Sequence, residues 1–228
     1  MAIDGSGPHL AAMSDRELLP RLRRTAYSPV IADVLDAVGC GHRILGPGLG
    51  TLAAGMVVCG RAMPVQWTDV APPVAKPFGF LCEALDDLNP DEVWISSGSL
   101  ASATWGELLT ATARTRGAAG AVVDGWHRDT PAVLPQGFPV LSRGAWCADS
   151  LPRSAVHAWR VPVRVCGVVV DPGDLIFADG DGAVAVPRAV EAEVLERAFA
   201  KIAAEKVVRK AIEGGMGAGE AFRTYGVL

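Results

Sequence analysis

"WGELLTATARTRGAAGAVVDGWHRD", residues 105–129, decides how this chain folds. Its first half is rich in leucine, alanine, threonine and arginine, contains no proline, and ends at Gly117, as a helix does. Its second half holds "GAVVDG" (120–125), a short β-branched run bounded by glycines, which reads as a buried strand. Another such run, "DEVWIS" (91–96), precedes the helix. Strand, helix and strand in this order predict a right-handed β-α-β unit with parallel strands. The end of the second strand then lies beside the start of the helix, where open α/β sheets hold ligands. Trp126, His127, Arg128 and Asp129 are thereby delivered opposite the first helical turn.

The flanking sequence extends this α/β pattern. "SDRELLPRLRRT" (14–25) reads as a helix, with Ser14 and Glu17 at capping-box spacing. "SPVIADVLDAVG" (28–39) reads as a second, with Ser28 as N-cap, Pro29 at the first position and Gly39 as its stop. "GMVVCGRAMPVQW" (55–67) predicts a strand or strand pair interrupted near Pro64, and the central helix is expected over 104–117. "FPVLSRG" (138–144) is a further short strand. Residues 161–187 alternate strands with the turn formers Asp171-Pro172-Gly173-Asp174 and Asp179-Gly180-Asp181-Gly182. A helix from about Arg188 to Ile212 follows, its Val190, Val194, Leu195, Phe199 and Ile202 along one side. With no long linker or repeat, the expectation is one mixed α/β domain with a substantial antiparallel component.

Composition narrows the function. Of the 228 residues half are apolar and a fifth charged, the balance of a globular protein with a sizeable core. A net charge of −4 without a basic stripe argues against nucleic acid as a partner. No apolar run reaches the ~18 residues that span a bilayer, and the first residues do not resemble a secretory signal. Five scattered cysteines with no C-x-x-C predict free thiols, so a cytoplasmic location is expected. "GPGLG" (46–50) lacks the third spaced glycine of a dinucleotide loop, and "DGDG" (179–182) lacks the other ligands of a calcium loop. The four histidines have no zinc-ligand spacing, and there is no G-x-S-x-G elbow.

What remains is the junction of helix and strand. The first helical turn offers free N–H groups around Gly106, Glu107 and Leu108 together with the positive end of the helix dipole, a setting for a small carboxylate. Thr104 and Glu107 also have capping-box spacing, so Glu107 has both a local structural reading and a functional one. Arg128 and Asp129 divide similarly between a turn-closing ion pair and a site for an anion and a divalent cation. Oxygen ligands of this kind suit magnesium or manganese better than zinc.

Twenty residues separate Glu107 from Arg128-Asp129, and this spacing resembles the central signature of the RraA-like family. That family includes the class II 4-hydroxy-4-methyl-2-oxoglutarate / 4-carboxy-4-hydroxy-2-oxoadipate aldolases. "SPVIADVLDAVG", "GFPVLSRG", residues 161–187 and the ending "GMGAGEAFRTYGVL" agree with it in order. The resemblance implies a single swivelling-type α/β/β domain over 1–228 with a mixed sheet and a C-terminal helix, residues 1–13 forming a flexible extension. It also implies homotrimers or hexamers with active sites between subunits. By the same resemblance Asp129 binds Mg²⁺ or Mn²⁺, Glu107 stands for the acid that orients the metal's water, and Arg128 holds substrate and developing oxyanion charge. Backbone amides around Gly106, Glu107, Leu108 and Leu109 would receive the carboxylate of a 2-oxo acid.

The implied activity is a metal-dependent lyase passing through a pyruvate enolate, with oxaloacetate decarboxylation as a second outlet. Three positions depart from the family pattern. Ala132 replaces an acid three residues after Asp129, Glu107 is one methylene longer than the usual aspartate, and Trp126-His127 replace smaller or aliphatic residues. His127 reads either as an added acid/base or as a strand residue facing away, and Trp126 as packing or a pocket wall. Two alternatives stand beside the lyase: a non-catalytic RraA-like regulator that binds a ribonuclease, and an enzyme with a different substrate on the same metal site. An acid–arginine–acid set favours catalysis, because a masking surface does not need it.

Overall fold

The computed structural model describes residues 13–71 and 76–227, so the expected extension 1–13, apart from Met13, lies outside the described residues. The strands are β1 (Gly50–Thr51), β2 (Val58–Asp69), β3 (Glu92–Ser96), β4 (Ala103–Trp105), β5 (Gly120–His127), β6 (Val140–Ala145), β7 (Ser154–Trp159), β8 (Val163–Val165), β9 (Val168–Val170), β10 (Leu175–Asp179) and β11 (Gly182–Val186). The helices are α1 (Asp15–Thr25), α2 (Ser28–Ala37), α3 (Leu81–Asp86), α4 (Glu107–Thr115), α5 (Thr130–Val133), α6 (Glu191–Glu213) and α7 (Ala218–Tyr225).

The β3-α4-β5 unit predicted from the sequence organises the sheet. β3 pairs with β5 in parallel, Val93 opposite Gly120 and Ser96 opposite Val123. The nine-stranded sheet runs β1-β6-β5-β3-β2-β10-β11, with β4 added beside β5 and β7 beside β2. Strands β2, β3, β5 and β6 are parallel neighbours, whereas β1, β7, β10 and β11 pair antiparallel. The sheet is therefore mixed, as expected. Alternation sorts the side chains of the parallel strands onto two buried faces. Trp94, Ala121 and Val123 join the core beneath α3 and α4, while Val93, Ile95 and Val122 join the core beneath the β8–β9 hairpin. Near β10 and β11 the helical face is covered by α1, α2 and α6. Helices, main sheet and small sheet make three layers, the α/β/β architecture.

Several boundaries differ from the sequence reading, each for a physical reason. β2 is continuous through Pro64, because β10 pairs with residues 58–61 and β7 with residues 65–69. The Pro64 carbonyl accepts from Arg160 N–H on that same edge, so the missing proline N–H falls between the two partner strands and interrupts neither ladder. β5 does not end at Asp124-Gly125. A register shift against β6 absorbs these two residues, and Trp126 and His127 resume pairing with Gly144 and Ala145. Asp124 accepts from Arg143 Nε at 2.7 Å and from Cys166 N–H at 2.5 Å, which ties the bulge to the β8–β9 hairpin. The central helix starts at Glu107 rather than 104, since Thr104 belongs to β4. The Ser14–Glu17 box does form, the Glu17 carboxylate accepting from Ser14 N–H at 3.1 Å and from its hydroxyl at 2.9 Å. "DGDG" is the β10–β11 hairpin, where the Asp179 carboxylate accepts from Asp181 N–H at 3.0 Å. The five cysteines are free. Among the described residues no helix is long and apolar enough to cross a membrane.

Arg61 is a buried charge on the helical face, only 8% exposed. Its guanidinium donates to Glu191 of α6 at 2.6 and 2.9 Å and to Asp15 of α1 at 2.8 Å, fastening both helices to β2. The Asp15 carboxyl is held below its usual range by this bond. Removing one partner of a buried ion pair leaves the other charge uncompensated, at a cost of about 3–5 kcal/mol. Arg61→Met is therefore expected to lower the unfolding free energy in urea by about 3 kcal/mol; a loss below about 1 kcal/mol, the scale of an exposed pair, would contradict the clamp.

Candidate functional site

Arg128 and Asp129 leave the C-terminal end of β5 where β4 turns into α4. Arg128 N–H donates to the Trp105 carbonyl at 2.9 Å, carrying the β4–β5 pairing one residue further. Asp129 adopts a left-handed backbone conformation (φ 61°, ψ 30°), which turns the chain into α5 and sends its carboxylate back toward α4. Asp129 Oδ2 accepts from Glu107 N–H at 3.3 Å. Gly106 makes this approach feasible, because a Cβ there would stand 2.7 Å from Asp129 Oδ2 and 3.2 Å from Arg128 Cγ.

The expected Thr104–Glu107 capping box does not form. Thr104 is buried in β4 with its hydroxyl unpartnered among the described residues, Gly106 occupies the N-cap position, and Glu107 is the exposed first residue of the helix. The cap comes from Asp129 instead, twenty-two residues along the chain. Among the described residues no protein oxygen accepts from Leu108 or Leu109 N–H, so two orphan donors of the first turn stay open to an anion.

Gly106, Glu107, Leu108, Leu109, Arg128 and Asp129 all line one cleft of about 420 Å³, within the range of small-molecule sites. Arg128 lies at its charged end, Nη1 3.0 Å from Asp149 Oδ1 and Nε 3.6 Å from Asp129 Oδ2. Asp149 was not among the residues expected from sequence. It sits in the loop after β6 with no spacing motif to mark it, and only the fold carries it to Arg128. The Trp67, Phe78, Leu81 and Leu85 wall was missed for the same reason. Gln136 links the two chain segments from outside, donating to the carbonyls of Glu107 at 3.3 Å and Ala132 at 3.1 Å.

His127 does not line this cleft. It is 6% exposed, with Nδ1 2.7 Å from Ser142 Oγ and Nε2 2.9 Å from Thr130 Oγ1. A neutral ring, one nitrogen donating and one accepting, satisfies both hydroxyls in either tautomer. Trp126 points elsewhere, its ring edge-on to Trp146 at 6.2 Å.

Domain layering and an Arg-Asp pair set against a helix N-terminus define a compact class of α/β/β proteins. The chain belongs to the RraA-like family, whose Aldolase/RraA model matches residues 29–185. It is 30% identical over 192 residues to protein DlpA of Legionella pneumophila, covering 82% of this chain and 30% of that one. Over 132 residues it is 34% identical to a Halalkalibacterium halodurans protein named "Putative 4-hydroxy-4-methyl-2-oxoglutarate aldolase", covering 57% of this chain and 62% of the relative. The chain thus spans less than two thirds of the length of either relative. Among solved structures, Streptomyces coelicolor RraAS2, described as an unusual member of the RNase ES inhibitor RraA protein family, matches with a TM-score of 0.76. Identity to it is 32%, over 86% of this chain and 97% of that one. The family therefore holds proteins named as oxo-acid aldolases beside one described through ribonuclease inhibition.

Burial pushes the His127 imidazole below its ordinary value of about 6.5, so the fold accommodates the neutral ring. The folded protein then binds fewer protons than the unfolded chain as pH falls through this range. This contribution is complete above about pH 6.5, the unfolded value, and is lost as pH falls through the lowered folded value. Thermal midpoints between about pH 7.5 and pH 5.5 should fall further in wild type than in His127→Gln. Equal falls would show that His127 is not the group responsible.

Proposed function

We propose that this protein is a divalent-metal-dependent lyase, a class II aldolase, cleaving the C3–C4 bond of a small 4-hydroxy-2-oxo acid or diacid to release pyruvate. One observation carries the reading: Arg128, Asp129, Glu107 and the open Leu108 and Leu109 N–H groups converge on a single cleft. A surface that only masked a partner would not require that combination.

The donor set fits Mg²⁺ or Mn²⁺. Asp129 uses Oδ2 for the helix cap, and its Oδ1 has no hydrogen-bond partner among the described residues. Glu107 lines the same cleft. Among the described residues no group of three His, Cys, Asp or Glu side chains is placed to hold a metal ion. Magnesium keeps several waters and takes one or two carboxylates, whereas a zinc cage needs three or four protein ligands. Asp129, with Glu107 acting through water, would hold the ion. When bound, it supplies Lewis acidity to the oxygens of the 2-oxo acid.

The protein's own groups account for the remaining steps. Leu108 and Leu109 N–H, at the positive end of α4, hold the carboxylate and fix the oxo acid's orientation. Arg128, braced by Asp149, donates to the C2 oxygen as C3–C4 breaks and negative charge moves onto it. Glu107 accepts the C4 hydroxyl proton through an intervening water. The C3 carbon of the enolate then takes a proton to give pyruvate. Loss of CO₂ from oxaloacetate passes through the same enolate and is the expected second activity. His127 enters as a positioning residue rather than a catalytic one, since its ring steadies Thr130, next to Asp129. We place the working form as a homotrimer or hexamer with sites between subunits; the exposed Leu108 at the cleft rim, 75% accessible, is suited to cover by a second copy.

Pyruvate release from 2-oxo diacids and hydroxy-oxo acids, assayed with Mg²⁺, Mn²⁺ or chelator, tests this. Arg128→Ala should lower kcat by about 10²–10³-fold, the scale of losing one oxyanion donor. Asp129→Ala should remove the metal-dependent rate. Undiminished release in chelator would overturn the metal assignment. Absence of cleavage, joined to tight binding of a ribonuclease E, would favour the regulator reading.

A further inference from the structure

The cleft that holds Arg128 is lopsided in chemistry. Among its described lining residues Arg128 is the sole cation, and it already faces Asp129 and Asp149, with Glu107 a third carboxylate on the rim. Beyond this charged end the cleft extends between α4 and α3 along Trp67, Phe78, Leu81, Leu85 and Leu109, which continue the hydrophobic core beneath those helices. The polar atoms of that wall include Trp67 Nε1 and Thr104 Oγ1, both neutral and both buried without a partner among the described residues. A three-carbon pyruvyl unit at the α4 N-terminus fills only part of about 420 Å³.

A second substrate carboxylate placed along this wall would lose its hydration with no cation among the described lining residues of this copy to meet it, and nearer Arg128 it would meet Asp149 and Glu107. Both placements are costly, so a dicarboxylate such as oxaloacetate is expected to be the slower substrate. An alkyl or aromatic group gains free energy on the same wall by leaving water. We infer that the substrate is a 4-hydroxy-2-oxo monocarboxylate carrying an apolar group at C4. The apolar wall binds that group while the amides and Arg128 bind the pyruvyl end. Cleavage breaks C3–C4, its electron pair passing to the enolate and the C4 hydroxyl proton to the base. The products are pyruvate, after protonation at C3, and an apolar aldehyde or ketone; no oxidant or reductant is consumed. This inference rests on the lyase reading and sharpens its substrate.

Two measurements separate the two ideas. Deuterium exchange at the pyruvate methyl, followed by NMR with enzyme and Mg²⁺ or Mn²⁺, reports enolate formation without involving the C4 substituent. Pyruvate release from 4-hydroxy-2-oxo-4-phenylbutanoate and from 4-hydroxy-2-oxoglutarate reports what the wall accepts. We expect exchange, together with a kcat/KM at least about tenfold higher for the phenyl compound, a difference that about 1.4 kcal/mol of differential binding produces. Cys82→Lys places an ammonium on the wall at an exposed position of α3 and should move that ratio about tenfold or more toward the dicarboxylate. Exchange with equal or better cleavage of the dicarboxylate overturns the substrate inference and leaves the lyase standing. A ratio unmoved by Cys82→Lys removes the wall as the C4 subsite. Neither exchange nor cleavage of either compound defeats the lyase reading and the inference together.

Discussion

The contact between the Asp129 carboxylate and the first amide of α4 holds the site together. It joins two chain segments twenty-two residues apart, at 3.3 Å, across a glycine that leaves no room for a Cβ. A negative charge at a helix N-terminus is favourable in itself. Here it also spends one carboxylate oxygen on the fold, leaving the other and the next two helical amides facing the cleft. The bond from Arg128 N–H to the Trp105 carbonyl prevents the same segment from sliding along β4. Asp129 sits in a left-handed conformation that non-glycine residues adopt rarely, and such conformations are found where surrounding contacts impose them.

That contact exists only because β3 and β5 are parallel and adjacent. Parallel pairing requires a crossover, α4 supplies it, and the crossover returns the chain with the end of β5 beside the helix start. The layers above and below make the arrangement rigid. Trp94 and Trp105 pack at 5.7 Å under the helices, and the valines of β8 and β9 close the opposite face. The helical face is not uniformly apolar. Arg61 pins α1 and α6 beside α3 and α4, so one layer is fastened by a buried ion cluster at one end and by tryptophan packing at the other.

Local pattern was a good guide where local forces decide. The α1 and α2 helices, the β3-α4-β5 unit, the β10–β11 hairpin and the long C-terminal helix were all legible, because hydrophobic period, caps and turn residues act over a few positions. The expected cap of α2 is the exception: Tyr27 is its N-cap, and Ser28, already in the helix, donates through its amide and hydroxyl to Asp179 instead. Misreadings occurred where a distant partner intervened. Thr104 and Glu107 have capping-box spacing, yet Asp129 takes the cap and β4 takes Thr104. Pro64 looked like an interruption until β10 and β7 divided the strand edge between them. Asp124-Gly125 looked like a strand end, but pairing with β6 resumes after the bulge. α3 and β7 are only six residues each, too short for a local pattern to mark them, and are stabilised by the core they complete.

For the cleft, local residue order reveals which groups stand at the helix–strand junction: Gly106, Glu107, Arg128 and Asp129 lie at a spacing that one β-α-β turn converts into proximity. What those groups do to one another depends on packing between elements far apart in the chain. It assigned Asp129 to the helix cap, turned His127 inward between two hydroxyls, brought Asp149 to Arg128, and built an apolar wall from β2 and α3. The difference is one of range. Helix and strand propensities act within a few residues, whereas a cleft is made by surfaces that become neighbours only after the sheet has formed.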